Sequence, residues 1–367
     1  MTSITSPQPP VRQLGTGGFA PLRIAEIEAL TGDSVALTLG GTEEYGTTFD
    51  FRAGQHLTLR REFDGRDVRR SYSLCVPPGA GALRIAVRRI DGGVMSTWLT
   101  QEAEIGDEIE VSAPTGDFGR GIAEATGRHV GLIGAGSGVT PLVSLAAAHL
   151  NAGPDNTALM VLGNRSSASV MLAEDLYDLK NRYAARMQLV HVFSREQQVA
   201  DELNGHLDPA RITRLLQLFG TPAAVADWYL CGPLPVVDNA RTALTDLGVS
   251  QAAVHSELFH AGAVARPAEV AGSVAESTIV ATLNGRRTTV SMTADNPSIL
   301  DALLGVRSDA PFACRSGVCG TCRARCVSGE AVMRTNFALG EPEVEAGVIL
   351  TCQALPASSA VELEYLS

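Results

Sequence analysis

The chain has little that would hold a polyanion or a membrane. Its 367 residues carry 29 Lys and Arg against 40 Asp and Glu, a formal net charge of −11. No basic tail or stripe breaks that acidity, so nucleic acid is not an expected partner. No apolar run approaches the length of a membrane span. Met1 to Gly18 lacks the basic start and apolar block of a secretory signal. Its Pro, Gly, Ser and Thr read as a flexible lead-in over residues 1–19. No internal repeat is visible. Cysteines number only seven, an odd count, which argues against a disulfide framework and for a reducing, cytoplasmic setting.

Four of those cysteines carry the strongest signal in the sequence. Cys314, Cys319, Cys322 and Cys352 are spaced C-x4-C-x2-C-x29-C, as in a plant-type [2Fe–2S] site. One tight loop must wrap three thiolates around an iron–sulfur rhomb, and a distant strand end supplies the fourth. Gly317 and Gly320 allow the loop to fold close and aim N–H groups at the sulfurs. A tetrahedral zinc site would usually pair two short C-x2-C knuckles, and only one short pair is present. Cys326 lies in a segment expected to be strand and reads as a packed free thiol.

Hydrophobic residues make up 45%, and the length suits two or three domains. Residues 20–120 show short alternating runs, Ser34–Leu39, Gln55–Leu59, Leu83–Val87 and Asp107–Val111, separated by turn residues. They predict an antiparallel β-barrel. Over 121–260 the pattern changes to compact apolar strands, His129–Ile133, Thr157–Leu162, Met187–Phe193 and Asp227–Leu230, with helices near 172–183 and 235–247. Repeated βαβ units predict a doubly wound parallel sheet. Residues 261–275 are small and low in complexity and read as a linker. The block 276–367 opens on a hairpin signal around Asn284-Gly285 and carries the four cluster cysteines.

Four further motifs carry chemistry. Arg70-Ser71-Tyr72-Ser73 offers a guanidinium for phosphate and a flat ring with a polar tip, although alone it could be an ordinary strand with a packed Tyr. Asp91-Gly-Gly93-Val94-Met95-Ser96 follows the strand end at Val87 and leads into a helix whose N–H groups can face an anion. A plain turn with an N-cap is the alternative there. Gly134-Ala-Gly136-Ser-Gly138-Val-Thr140-Pro141 follows a strand directly, the context of a dinucleotide pyrophosphate loop, with Thr140 as expected helix cap. Tyr229-Leu-Cys231-Gly232-Pro233 ends another strand. Arg165, Ser194 and Arg195 stand at the ends of the second and third strands, where an arginine suits a 2′-phosphate, so NADPH is expected rather than NADH.

In this order the motifs resemble the ferredoxin–NADP reductase superfamily followed by a plant-type ferredoxin. The resemblance covers the chain from about residue 20. It implies a flavin barrel, a nucleotide domain and a β-grasp-like α+β ferredoxin domain. It implies that Arg70 grips the FAD pyrophosphate, Tyr72 stacks on the flavin, and Ser73 meets its reactive edge. It puts Cys231, Gly232 and Pro233 beside the nicotinamide, and Glu257 and Phe259 near the flavin. Ser73, Cys231 and Glu257 are thus the implied catalytic residues. The stretches Gly54–Leu59, Phe63–Gly65, Arg69–Ser73, Thr335–Phe337 and Thr351–Pro356 resemble most the reductases of multicomponent oxygenases, phenylacetyl-CoA epoxidases above all. Such a reductase would pass electrons from NADPH to FAD, to [2Fe–2S], and then to a multisubunit di-iron oxygenase. A reductase of a steroid or aromatic-ring hydroxylase would look similar. A cluster-only redox sensor or carrier would not need the three phosphate loops. The cluster loop is expected to be exposed, with Arg315, Arg323 and Arg325 as a positive docking patch.

Overall fold

The computed structural model describes residues 11–15, 17–124, 126–219, 224–259, 272–274 and 276–366. Most of the expected lead-in, and the expected linker from 261 to 271 and at 275, lie outside the described residues.

Six strands build the first unit: β1 (Phe19–Thr31), β2 (Ser34–Gly40), β3 (His56–Phe63), β4 (Arg66–Ser73), β5 (Leu83–Arg88) and β6 (Glu108–Ser112). Their order is β4-β3-β6-β1-β2-β5, every pair antiparallel, and a bridge between Leu74 and Ile85 joins the two edges. Alternation along these strands turns Leu22, Ile24, Leu37, Leu57, Leu59, Ile85 and Val111 inward as one core. The long β1 has no clean alternation in sequence after Ile24, because Ala25 to Glu28 are mostly polar or small, and it is an element that pattern reading misses. Helix α1 (Val94–Gln101) packs Met95, Trp98 and Leu99 onto one end of the barrel.

The second unit alternates β7 (His129–Ala135), α2 (Val139–Ala152), β8 (Thr157–Asn164), α3 (Ala173–Arg182), β9 (Met187–Phe193), α4 (Pro209–Phe219), β10 (Asp227–Gly232), α5 (Leu234–Asp246) and β11 (Val254–Leu258). The sheet is wholly parallel in the order β11-β10-β7-β8-β9. Strand order therefore reverses between β7 and β10, and a ligand crevice opens at the carboxyl ends of those two strands. The sheet is buried on both faces by helices, which is why its strands are apolar without alternation.

The third unit is a mixed sheet in the order β13-β12-β18-β14-β16. It contains β12 (Ser277–Leu283), β13 (Arg286–Met292), β14 (Arg323–Ser328), β16 (Val348–Leu350) and β18 (Ala360–Tyr365), with helix α6 (Ile299–Leu304) packed on it. A ribbon of β15 (Ala331–Met333) and β17 (Ala354–Pro356) and a short helix α7 (Glu341–Glu345) complete it. Asn284 and Gly285 form the β12–β13 turn with φ of 51° and 73°, the left-handed pair of a two-residue hairpin.

The units touch through specific polar contacts. Arg84 of the barrel binds Asp175 of α3 at 2.8 Å, and the Ser144 hydroxyl of α2 donates to the Val76 carbonyl at 2.7 Å. Buried His149 meets the carbonyls of Ile122 and Arg128, fixing the segment that joins the first two units.

Candidate functional site

Strand register brings the sequence motifs of two units together. Gly134, Cys231 and Glu257 are neighbours across β7, β10 and β11, at the carboxyl ends of those strands. On the barrel, His56 and Ser73 are opposite each other on β3 and β4. The Ser73 hydroxyl donates to Glu257 Oε2 at 3.3 Å, and His56 Nδ1 lies 3.7 Å from Glu257 Oε1. Glu257 thus spans the seam between barrel and nucleotide sheet. His56 is 5% exposed, and its Nε2 has no hydrogen-bond partner. The family-like stretch Gly54–Leu59 contains His56 but gives it no role, since only its pairing across the barrel brings it to the seam.

The glycine loop lies directly against the Cys231 turn. A Cβ on Gly138 would sit 2.1 Å from the Cys231 carbonyl oxygen, so only glycine permits this approach. Thr140 does not cap α2 as expected. The helix starts at Val139 with Gly138 as N-cap, and the Thr140 hydroxyl donates back to the Ser137 carbonyl at 3.0 Å. No side chain caps α2 or α1, which leaves first-turn N–H groups available to an anion. At α1, Ser96 closes its own loop by accepting from Ile90 N and donating to the Gly93 carbonyl. Met95 is buried, Val94 exposed, and the Val87 side chain points into the barrel core, so Val87 could offer a ligand only its backbone.

Burial and the Glu257 carboxylate both push the Cys231 thiol well above its usual range, so it stays protonated. Burial likewise raises the Tyr72 hydroxyl, against the pull of Arg70. Both groups stay neutral, and the phenol lies near a phosphate-competent guanidinium. The exposed Arg70 binds only the Arg69 carbonyl by Nη1, at 2.7 Å.

A cavity of about 440 Å³ opens beside the glycine loop, lined by Gly136, Arg165, Ser194, Pro233 and Asn239 among others. Arg165 lines it but is held by Asp33 of the barrel at 3.0 Å, which also binds Arg88 at 3.2 Å. Burial opposes the ionisation of Asp33, yet the Thr31 hydroxyl, Arg88 and Arg165 outweigh it and hold the carboxyl below its ordinary range. Arg195 does not line the cavity; its backbone N–H donates to the Arg165 carbonyl. Asp33 has no motif that marks it, because its role arises from the packing of two units.

The four cluster cysteines are gathered as two pairs. Hydrogen bonding from Cys319 lowers Cys314 to about 5, while Cys319 is raised by the same contact. Hydrogen bonding from Cys322 lowers Cys352, and Cys322 is raised in turn. Among the described residues no three His, Cys, Asp or Glu converge to hold a single ion. Two thiol pairs are the donor set of a two-iron rhomb, with two thiolates for each iron, and not of a tetrahedral zinc. Gly317 and Gly320 adopt φ of 79° and 69°, and the Ser316 N–H donates to Cys314 Sγ at 3.4 Å. Thr351 joins the two arms, its hydroxyl donating to the Cys322 carbonyl at 3.0 Å.

The cluster loop is not free in solvent. A cavity of about 80 Å³ is lined by Ser73, Glu257 and Phe259 on one side and by Cys314, Val318 and Cys319 on the other. The expected basic patch is mostly paired: Arg315 binds Asp301 at 3.1 Å and Arg323 binds Glu343 at 3.4 Å, with Arg325 exposed. Cys326 is half-buried, its Sγ against the carbonyls of Ser328 and Gly329.

Three modules, an FAD-binding barrel, an NAD-binding sheet and a [2Fe–2S] domain, define a class of oxidoreductase. Residues 21–119 match the Oxidoreductase FAD-binding domain, 132–242 the Oxidoreductase NAD-binding domain, and 281–357 the 2Fe-2S iron-sulfur cluster binding domain. The chain belongs to the family of oxygenase reductase components that carry these modules on one polypeptide. It is 35% identical to one of the subunits of the 1,2-phenylacetyl-CoA epoxidase of Escherichia coli (strain K12), over 95% of this chain and 98% of that one. It is 33% identical to the 3-ketosteroid-9-alpha-monooxygenase, ferredoxin reductase component, of Mycobacterium tuberculosis (strain CDC 1551 / Oshkosh), over 86% of this chain and 85% of that one. Phthalate dioxygenase reductase shares the fold at a TM-score of 0.59 and 23% identity, covering 96% of this chain and 100% of that one. No helix among the described residues is long and apolar enough to cross a membrane.

Proposed function

We propose that this chain draws electrons from NADPH and delivers them, through FAD and the [2Fe–2S] cluster, to a multisubunit di-iron oxygenase that epoxidises phenylacetyl-CoA. The observation that carries the electron route is the cavity shared by Ser73, Glu257, Cys314 and Cys319. It sets Ser73 and Glu257, the residues that would meet the flavin edge, against the cluster-loop residues Cys314 and Cys319. When bound, FAD accepts a hydride and the cluster accepts single electrons, so the pair turns a two-electron donor into a one-electron supply.

The residues divide the work. Arg70 and the first-turn N–H groups at Val94, Met95 and Ser96 would hold the FAD pyrophosphate, in a turn closed by the Gly93 N–H on the Ile90 carbonyl. Tyr72 would lie against the flavin ring. Ser73 and Glu257 would meet its reactive edge, where a carboxylate can hold or pass a proton. Gly134, Gly136, Gly138, Thr140 and Pro141 carry the NADPH pyrophosphate on the α2 N-terminus. Cys231, Gly232 and Pro233 pack beside the nicotinamide, the neutral thiol excluding water, with Phe259 closing the same seam. Arg165 and Ser194 take the 2′-phosphate, and Arg195 supports Arg165 through its backbone. Cys314 with Cys319, and Cys322 with Cys352, would each hold one iron. Seven free thiols, four of them in a cluster site, favour a reducing, cytoplasmic site of action.

The higher identity to the epoxidase subunit, 35% against 30–33% for the steroid monooxygenase reductases, favours the phenylacetyl-CoA acceptor over a steroid one. Reconstitution with a phenylacetyl-CoA epoxidase oxygenase, NADPH and phenylacetyl-CoA should consume thioester in step with NADPH. NADPH oxidation without thioester consumption, together with efficient support of a steroid hydroxylase, overturns the acceptor assignment.

A further inference from the structure

A charged side chain with no part in either cofactor site is buried between the barrel and the ferredoxin domain. Arg69 is 2% exposed. Alternation along β4 turns it away from Val68, Arg70 and Tyr72 and toward the third unit. All three of its guanidinium nitrogens are engaged. Nε and Nη2 bind the Asp67 carboxylate, Nη2 at 2.8 Å. Nη2 also donates to the Ser308 carbonyl at 3.1 Å, and Nη1 to the Ala310 carbonyl at 3.4 Å. Its plane lies over the Phe312 ring, 4.2 Å from the centroid, and Arg315 covers the same ring at 4.6 Å.

The segment it grips is itself stiff. Arg307 binds Asp309 through two contacts of 2.7 Å and reaches the Arg286 carbonyl and Thr288 hydroxyl of the hairpin. That segment runs directly into Cys314, one of the two cysteines lining the cavity shared with Ser73 and Glu257. Arg69 is therefore bonded to the chain on the cluster side, while Arg70, next in sequence, belongs to the flavin side. A lysine could supply the charge but not the planar fork and the ring contact.

We propose that Arg69 is the positioning residue that locks the ferredoxin domain onto the flavin barrel and sets the flavin-to-cluster geometry. Without it the two cofactor sites remain intact but their separation is no longer fixed. Asp67 keeps Arg60 as a partner at 3.1 Å, so removing Arg69 does not strand the carboxylate.

The test is Arg69→Met in the full chain, with FAD content and the reduced-cluster EPR spectrum checked first. NADPH-driven ferricyanide reduction should be unchanged, because it needs only the flavin. In anaerobic stopped flow, cluster reduction following flavin reduction should slow on the order of ten- to a hundredfold, the scale of small misplacements. Small-angle X-ray scattering should show a larger radius of gyration, a readout that does not depend on the electron route proposed above. Wild-type values for both the internal rate and the radius overturn the proposal. If Arg69→Met fails to fold, Arg69→Lys keeps the charge but loses the fork that reaches both the Ser308 and Ala310 carbonyls, and wild-type values there overturn it equally. Loss of the cluster spectrum in the wild-type chain would instead indict the cofactor assignment.

Discussion

At the scale of single residues, the site is a set of ordinary groups given unusual neighbours. Cys231 stays a thiol because it is buried beside Glu257, and Glu257 in turn faces His56 and Ser73 from another unit. Ser73, Cys231 and Glu257 sit in legible motifs; His56 and Arg69 lie in stretches that resemble the family but announce no role there, and Asp33 lies in none. Their roles come from contacts between units far apart in sequence, such as Arg165 to Asp33, 132 positions away. That contact also sharpens the nucleotide prediction. Arg165 lines the cavity proposed for the 2′-phosphate, its guanidinium held by the Asp33 carboxylate. Arg165→Ala should raise the NADPH KM by about ten- to a hundredfold, the scale of losing a charge-assisted contact of about 1.5–3 kcal/mol. The NADH KM should change little. Steady-state kinetics with both nucleotides checks this, and equal wild-type efficiency with the two would contradict the 2′-phosphate role.

At the scale of elements, what was legible was what local chemistry dictates. The hairpin at Asn284-Gly285, the apolar strands β7 to β10 and the glycine loop before α2 all follow from turn residues, periodicity or spacing. The long β1 and helix α4 were not legible. β1 mixes charged and small residues across both faces, and α4 has its apolar positions, Ile212, Leu215 and Leu216, at a helical period that a search for strands passes over. Thr140 shows the limit of motif chemistry: the sequence suits a cap, but the cap is Gly138, two residues earlier, and the hydroxyl turns back. The contact between the glycine loop and the Cys231 turn yields a prediction at this scale. Gly138 has an ordinary φ of −61°, so Gly138→Ala strains no dihedral, but the added Cβ meets the Cys231 carbonyl at 2.1 Å. Forcing these turns apart should cost about 1–3 kcal/mol. NADPH titration should show weakened binding, with FAD content and the cluster spectrum unchanged. Loss of FAD instead would show that the clash spreads into the barrel.

At the scale of the whole molecule, three units converge on one seam. The barrel brings His56 and Ser73, the parallel sheet brings Glu257 and Phe259, and the ferredoxin domain brings Cys314 and Cys319. The loop expected to face a partner faces the flavin side instead, and two of its three arginines are paired. In this arrangement the cluster is set to receive electrons. The central claim is that they travel through it in series. Cys319→Ser tests this most directly, since it removes one iron ligand and alters a single atom at the seam with Ser73 and Glu257. The account predicts that NADPH still reduces ferricyanide at the wild-type rate while oxygenase-coupled turnover collapses. Coupled turnover at the wild-type rate in Cys319→Ser, with the cluster absent by EPR, would contradict it.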